Sequence, residues 1–195
     1  LAPDYPELKK QAEAFFEEGS FSRAHTLYQK SKSFDLPTEE TKWVKFRLAD
    51  TLWRMEAATN NPDNTKVELA RTQLEHMVRD IKRKEEKDRI WAEIKESLGD
   101  FWWTRKQTRN WSSAWQNYQQ ALDWWAGARD IELARQRYLK MIWTISSPPW
   151  RDRYYIYGNY GNRLPLNFLE NVLKIAKKPE DRYRAQYLVA LTMRN

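Results

Sequence analysis

The chain has 195 residues, a formal net charge of +7, 41% hydrophobic and 14% aromatic residues, and no cysteine. That length suits one domain or a short array of repeats, and the absence of thiols excludes disulfides and thiolate metal sites. The basic excess lies mostly in residues 111–195, where 13 Lys and Arg face 7 Asp and Glu; with no dense Lys/Arg block it reads as a solvated face rather than a phosphate track. No stretch approaches the roughly 20 apolar residues of a membrane-spanning helix, so no membrane span is expected.

Glycine is scarce, and Ala, Leu, Glu, Lys, Gln and Arg dominate, so intrinsic propensity favours helix along the chain. Leu8, Ala12, Phe15 and Phe16 predict a helix over about 6–18, stopped by Gly19, and Ser20 is placed to cap a second helix running to about 34. Pro37 and Thr38 open a third helix over about 38–58 carrying Trp43, Phe46, Ala49, Leu52 and Trp53; Asn60 to Asn64 breaks it. Val67, Ala70, Leu74, Val78 and Ile81 predict a fourth over about 64–84, and Ile90, Trp91, Ile94, Leu98 and Phe101 a fifth over about 87–105. The sixth and seventh follow over about 110–125 and 129–145. Residues 146–163 hold no helical period, and helix resumes over about 165–177 and 179–193. Nine helices make four pairs and one over. The last carries Tyr187, Leu188, Leu191 and Met193 with no following partner, so the chain is expected to be a piece of a longer protein.

Two short patterns recur. Ala12-x2-Phe15, Ala49-x2-Leu52 and Gly99-x2-Trp102 are each followed by a second: Ala24-x3-Tyr28-x2-Ser31, Ala70-x3-Leu74-x2-Met77 and Ala114-x3-Tyr118-x2-Ala121. A small residue followed by a bulky one about a turn later lets two helices approach and interlock, and repetition of the pair predicts stacked hairpins.

Leu98-Gly99-x2-Trp102 followed by Ala114-x3-Tyr118-x2-Ala121 resembles the tetratricopeptide repeat. The departures are Lys95 where that pattern has its first Trp, no closing proline in the third unit, and longer spacing between signatures in the second and third units than in the first. The resemblance implies an all-α, right-handed superhelical stack of antiparallel hairpins. It implies one solenoid domain over 1–195, interrupted by the aromatic loop 146–163. A fainter resemblance, carried by the tryptophan-rich runs 46–54, 96–103 and 121–130, is to the helical-repeat segment of bacterial alpha-2-macroglobulin-like proteins. It implies an accessory module of an exported (periplasmic or extracellular) protein; without it, a cytoplasmic one is expected.

In the tetratricopeptide class the first helix of each pair lines the concave face. Transferred to this chain, the class places Phe16, Trp53, Trp103 and Tyr138 at one repeat position, Glu13, Asp50, Asp100 and Arg135 at a second, and Lys9, Phe46, Glu96 and Ile131 at a third. The expected site is an aromatic ladder with carboxylates beside it, suited to a protein or peptide whose basic groups meet Asp50, Glu96 and Asp100. The same rings also suit packing between neighbouring helices. In the loop, Trp150, Arg151, Tyr154, Tyr155, Tyr157 and Tyr160 could present flat faces to a carbohydrate or, with Arg151 nearby, to nucleic acid; a lid over the chain's own apolar surface is the competing reading. Nucleic acid is the less favoured partner.

Catalysis finds little support. His25 and His76 are the only histidines, each within a predicted helix and without acidic residues at ligand spacing. No phosphate-cradling glycine loop occurs, and neither Ser112-Ser113 nor Ser146-Ser147 has a paired base. The expectation is a non-catalytic interaction scaffold without cofactor or metal.

Overall fold

The computed structural model describes residues 4–105, 108–146 and 164–194. Among them the chain is all-helical, without strands: α1 (Tyr5–Glu17), α2 (Phe21–Ser31), α3 (Thr38–Ala57), α4 (Asn64–Arg79), a 3-10 turn (Lys84–Glu86), α5 (Arg89–Thr104), α6 (Trp111–Trp125), α7 (Ile131–Ser146), α8 (Leu166–Ile175) and α9 (Pro179–Met193).

Local chemistry explains most boundaries. Asp4, Asp63, Asn110 and Asp130 each accept backbone N–H groups from the first turn of the helix that follows, satisfying donors that have no intrahelical partner. Gly19 ends α1 with φ +78°, while its N–H bonds to the Phe16 carbonyl and that of Ser20 to the Phe15 carbonyl. This is a Schellman closure, and glycine makes its left-handed residue inexpensive. Ser20 precedes α2, but its hydroxyl makes no capping bond; its ψ of 59° lies outside the extended geometry of a side-chain cap. α4 stops earlier than its apolar pattern predicts. Beyond Asp80, Arg83 turns back on Glu86, its Nε donating to Oε1 at 2.9 Å and its N–H to Oε2 at 3.3 Å, so the charged segment closes into its own short turn.

The chain forms two compact units, 1–101 and 102–195, with the boundary inside α5. In the first, α1 packs on α2, α2 on α3 and α3 on α4. Ala12, Ala24, Ala49 and Ala70 are all buried, as the recurring small residues predict. Ala12, Phe16, Ala24 and Tyr28 form one cluster, with Phe15, Phe21, Leu27 and Leu48 packed against it. In the second unit, α6 packs on α7, α7 on α8 and α8 on α9. Ala114, Tyr118 and Ala121 are buried, Trp115 meets Phe168 edge-on at 5.0 Å, and Leu188 turns inward from α9 while Tyr183, Tyr187 and Met193 stay exposed. Full burial of one such large apolar side chain contributes about 1.5–3 kcal/mol. No helix among the described residues is long and apolar enough to cross a membrane.

Candidate functional site

In the first unit the structure brings the predicted rings and carboxylates together and threads two arginines between them. Arg47 and Arg54 lie about one and three turns beyond Trp43 on α3. The Arg47 guanidinium sits 4.1 Å from the Phe16 ring centre, 4.5 Å from Trp43 and 5.0 Å from Phe46; that of Arg54 sits 4.5 Å from Trp53. Arg47 donates from Nη2 to Glu13 Oε2 (2.9 Å) and from Nη1 to Asp50 Oδ2 (3.2 Å), and its Nη2 lies 3.5 Å from Glu93 Oε2. Arg54 joins Asp50 Oδ1 through Nε and Asp100 Oδ2 through Nη2, both at 2.7 Å. Ser97 Oγ donates to Asp50 Oδ1 at 2.7 Å and accepts the Trp53 indole N–H at 3.0 Å. The Tyr28 hydroxyl and the Trp43 indole N–H complete the shell of Glu13.

Electrostatics follow from this packing. Arg47 and Asp50 are 2% and 1% exposed, so neither charge could persist unpaired. Burial alone would raise the Asp50 pKa, but Arg54, Arg47 and the Ser97 hydroxyl hold it below the ordinary carboxylate value. Burial, reinforced by Glu13, pushes the Tyr28 phenol well above its ordinary value, so it acts as a donor.

The expected arrangement thus differs from the observed one in who supplies the cations. The resemblance has Asp50 and Asp100 meet a partner's basic groups; in the structure the chain's own arginines meet them. Phe16, Phe46 and Trp53 are buried around those arginines, and Glu96 is buried on α5. The remaining predicted residues belong to the second unit. Trp103 is buried with its indole N–H bonded to the Thr144 carbonyl at 2.7 Å. Tyr138 is buried, its hydroxyl 3.5 Å from Asn171 Nδ2, and Arg135 pairs with Glu132. Tyr138 and Arg135, with Trp125, Asn171, Lys174 and Ile175, line a recess of about 260 Å³. Trp150, Arg151, Tyr154, Tyr155, Tyr157 and Tyr160 lie outside the described residues.

A different surface of the first unit is open. Between α2, α3 and α4 runs a groove of about 930 Å³. Val44, Leu48 and Leu52 of α3 form its floor; Phe34, Leu36 and Met77 add apolar wall. Lys32, Lys45, Lys66, His25 and His76 also line it, with no Asp or Glu among the lining residues. Val44 is buried, Leu48 and Leu52 half-buried, and Lys32, Lys45 and Lys66 exposed.

His25 illustrates how the groove wall is held. Thr51 Oγ1 donates to the Arg47 carbonyl at 2.6 Å, so toward His25 Nδ1, at 2.8 Å, the same oxygen accepts. The imidazole therefore carries its proton on Nδ1 and leaves Nε2 as an acceptor, 3.3 Å from Gln29 Nε2. Burial lowers the His25 pKa below 6.5, which agrees with this neutral tautomer.

Sequence reasoning missed Arg47, Arg54 and the groove, and it set Glu13 on the expected concave face, where the structure pairs it with Arg47. A signal was present: Arg47, Asp50 and Arg54 share a helical face with Trp43 and Trp53 at three- and four-residue spacing. Alternating charge inside an aromatic stripe points to a buried, internally paired column. Among the described residues no group of three or more His, Asp and Glu side chains could hold a metal ion. No protein-family model, curated protein or solved structure matches the chain.

Proposed function

We propose that this chain is a non-catalytic protein or peptide interaction module, a tetratricopeptide-like right-handed stack of antiparallel hairpins whose first unit receives its partner in the α2–α3–α4 groove. The observation that carries the proposal is the groove itself: an apolar floor left accessible to solvent between three helices, rimmed by polar and basic side chains. Concave, mostly apolar surfaces with a few polar groups are the usual form of binding sites. The buried rings of the predicted ladder act in this reading as the scaffold that keeps α3 in place. The module is accessory to a larger exported bacterial chain of the alpha-2-macroglobulin-like kind, a reading supported by the tryptophan-rich runs alone.

Selection of binders from a random-peptide display library, repeated with Gln73→Trp, tests the proposal. Gln73 is an exposed residue of the groove wall, so an indole there blocks the groove without touching the core. The expected outcome is a set of peptides that bind the wild-type chain and lose binding to the blocked variant. Peptides that bind both proteins equally would move the site elsewhere. Retention on polysaccharide, or salt-sensitive retention on nucleic acid, in place of peptide binding would favour the loop 146–163.

A further inference from the structure

Resting on the reading of the α2–α3–α4 groove as a docking surface, we propose that its occupant is an acidic amphipathic helix of a partner protein. Three features of the groove carry this, and each concerns a different property of the ligand.

The first is the shape of the apolar floor. Val44, Leu48 and Leu52 follow one another at four-residue intervals on α3, a row about 12 Å long at the helical rise of about 1.5 Å per residue. A helix laid beside that row places side chains at three- and four-residue spacing against it, the usual arrangement for a helix held in a groove. Leu36 and Met77 flank the row from the α2–α3 connection and from α4.

The second is the sign of the rim. Every formally charged side chain lining the groove is a lysine: Lys32, Lys45 and Lys66. Lys66 is shared with Glu56 at 3.3 Å and Asp63 at 3.6 Å. No ion pair joins Lys32 or Lys45 to a carboxylate among the described residues, and no acid lines the groove beside them. Positive potential without an internal counter-ion selects an anionic partner and speeds its encounter.

The third is how the lysines are spread. Lys66 reaches Glu56 beside the last turn of α3, Lys45 lies in the first half of that helix, and Lys32 follows the end of α2, close in sequence to the groove residues Phe34 and Leu36. A lipid or fatty acid brings one anionic head and needs its cations at one mouth. Cations distributed over the length of an apolar row match several carboxylates carried along the polar edges of a helix.

The test uses the full chain and two labelled peptides of about sixteen residues, long enough to form helix on binding. Both carry leucine at alternating three- and four-residue spacing; one has glutamate at the remaining positions and the other lysine. Fluorescence anisotropy is expected to give at least about tenfold tighter binding of the glutamate peptide at about 50 mM salt, with the difference shrinking by about 300 mM. The exposed double variant Lys32→Glu/Lys45→Glu should remove the preference while its circular-dichroism melt stays unchanged, and Gln73→Trp should weaken the glutamate peptide by about tenfold or more. Equal binding of both peptides, lost in Gln73→Trp, would overturn the acidic assignment and leave the docking surface standing. Binding that ignores Gln73→Trp, or no binding of either peptide, would overturn the occupant, with the display experiment then deciding the docking surface itself. Oleate that binds with the same lysine dependence and displaces the peptide would assign the groove to a fatty acid and overturn the helix.

Discussion

Along one face of α3, Arg47, Asp50 and Arg54 are enclosed by aromatic rings and by acids from α1 and α5. Along another, Val44, Leu48 and Leu52 line an open groove with Lys45 beside them. Both faces mix apolar and charged side chains, and by composition either could bind a partner. They differ in completion: on the first each charge meets its complement within the unit, and on the second the lysines outnumber the acids that reach them. Only the folded arrangement reveals that shortfall of acids around the groove lysines.

The largest expected effect comes from breaking the enclosed face. Arg47→Ala leaves Glu13, Asp50 and Glu93 facing one another without their shared cation, and should destabilise the first unit by about 3–5 kcal/mol in urea unfolding. Because the column is buried, that loss should change little between low and high salt. Trp53→Phe keeps most of the ring and removes one N–H, leaving Ser97 Oγ without that donor; a loss of about 1–2 kcal/mol is expected by the same measurement.

Acid should sharpen the contrast, because the two faces titrate in different ranges. The folded Asp50 pKa lies below its ordinary 3.8, so its stabilisation is complete above pH 3.8 and disappears as pH falls through the lower folded value. The folded His25 pKa lies below 6.5, so the unfolded chain protonates first, and stability declines as pH falls from 6.5 toward the folded value. Urea midpoints across pH 3 to 8, taken as about that range, should show both slopes in the wild type, and His25→Gln should erase only the one near neutrality. At the small end, Lys45→Glu lies on an exposed groove edge and should move stability by no more than about 0.5 kcal/mol, whatever it does to binding.

Helix positions were legible because apolar residues recur at helical spacing; the caps at Asp63 and Asn110 emerge only in the structure. The close approaches were legible too: Ala24, Ala70 and Ala114 lie buried where the recurring pattern puts small residues. Partnership was not legible. Asp50 looks the same in sequence whether its cation comes from the buried Arg47 three residues away or from another molecule, and α1 and α5 contribute Glu13 and Glu93 from far along the chain. Ser20 shows the same limit on a smaller scale, since a residue of the right type does not cap without the right ψ. The groove escaped notice because Val44, Leu48 and Leu52 read as ordinary core until α2 and α4 take their places around them.

The Arg47 site also changes how the first unit comes apart. A simple array of repeats frays from its ends, each hairpin released with little consequence for the next. Here the loss of α1 would strip Glu13 from a guanidinium lodged two helices onward, and the loss of α5 would strip Glu93 from the same group. The first and last helices of the unit are therefore tied to α3 by a common ion, and amide hydrogens from α1 to the first turns of α5 should exchange as a single cooperative block rather than in sequence.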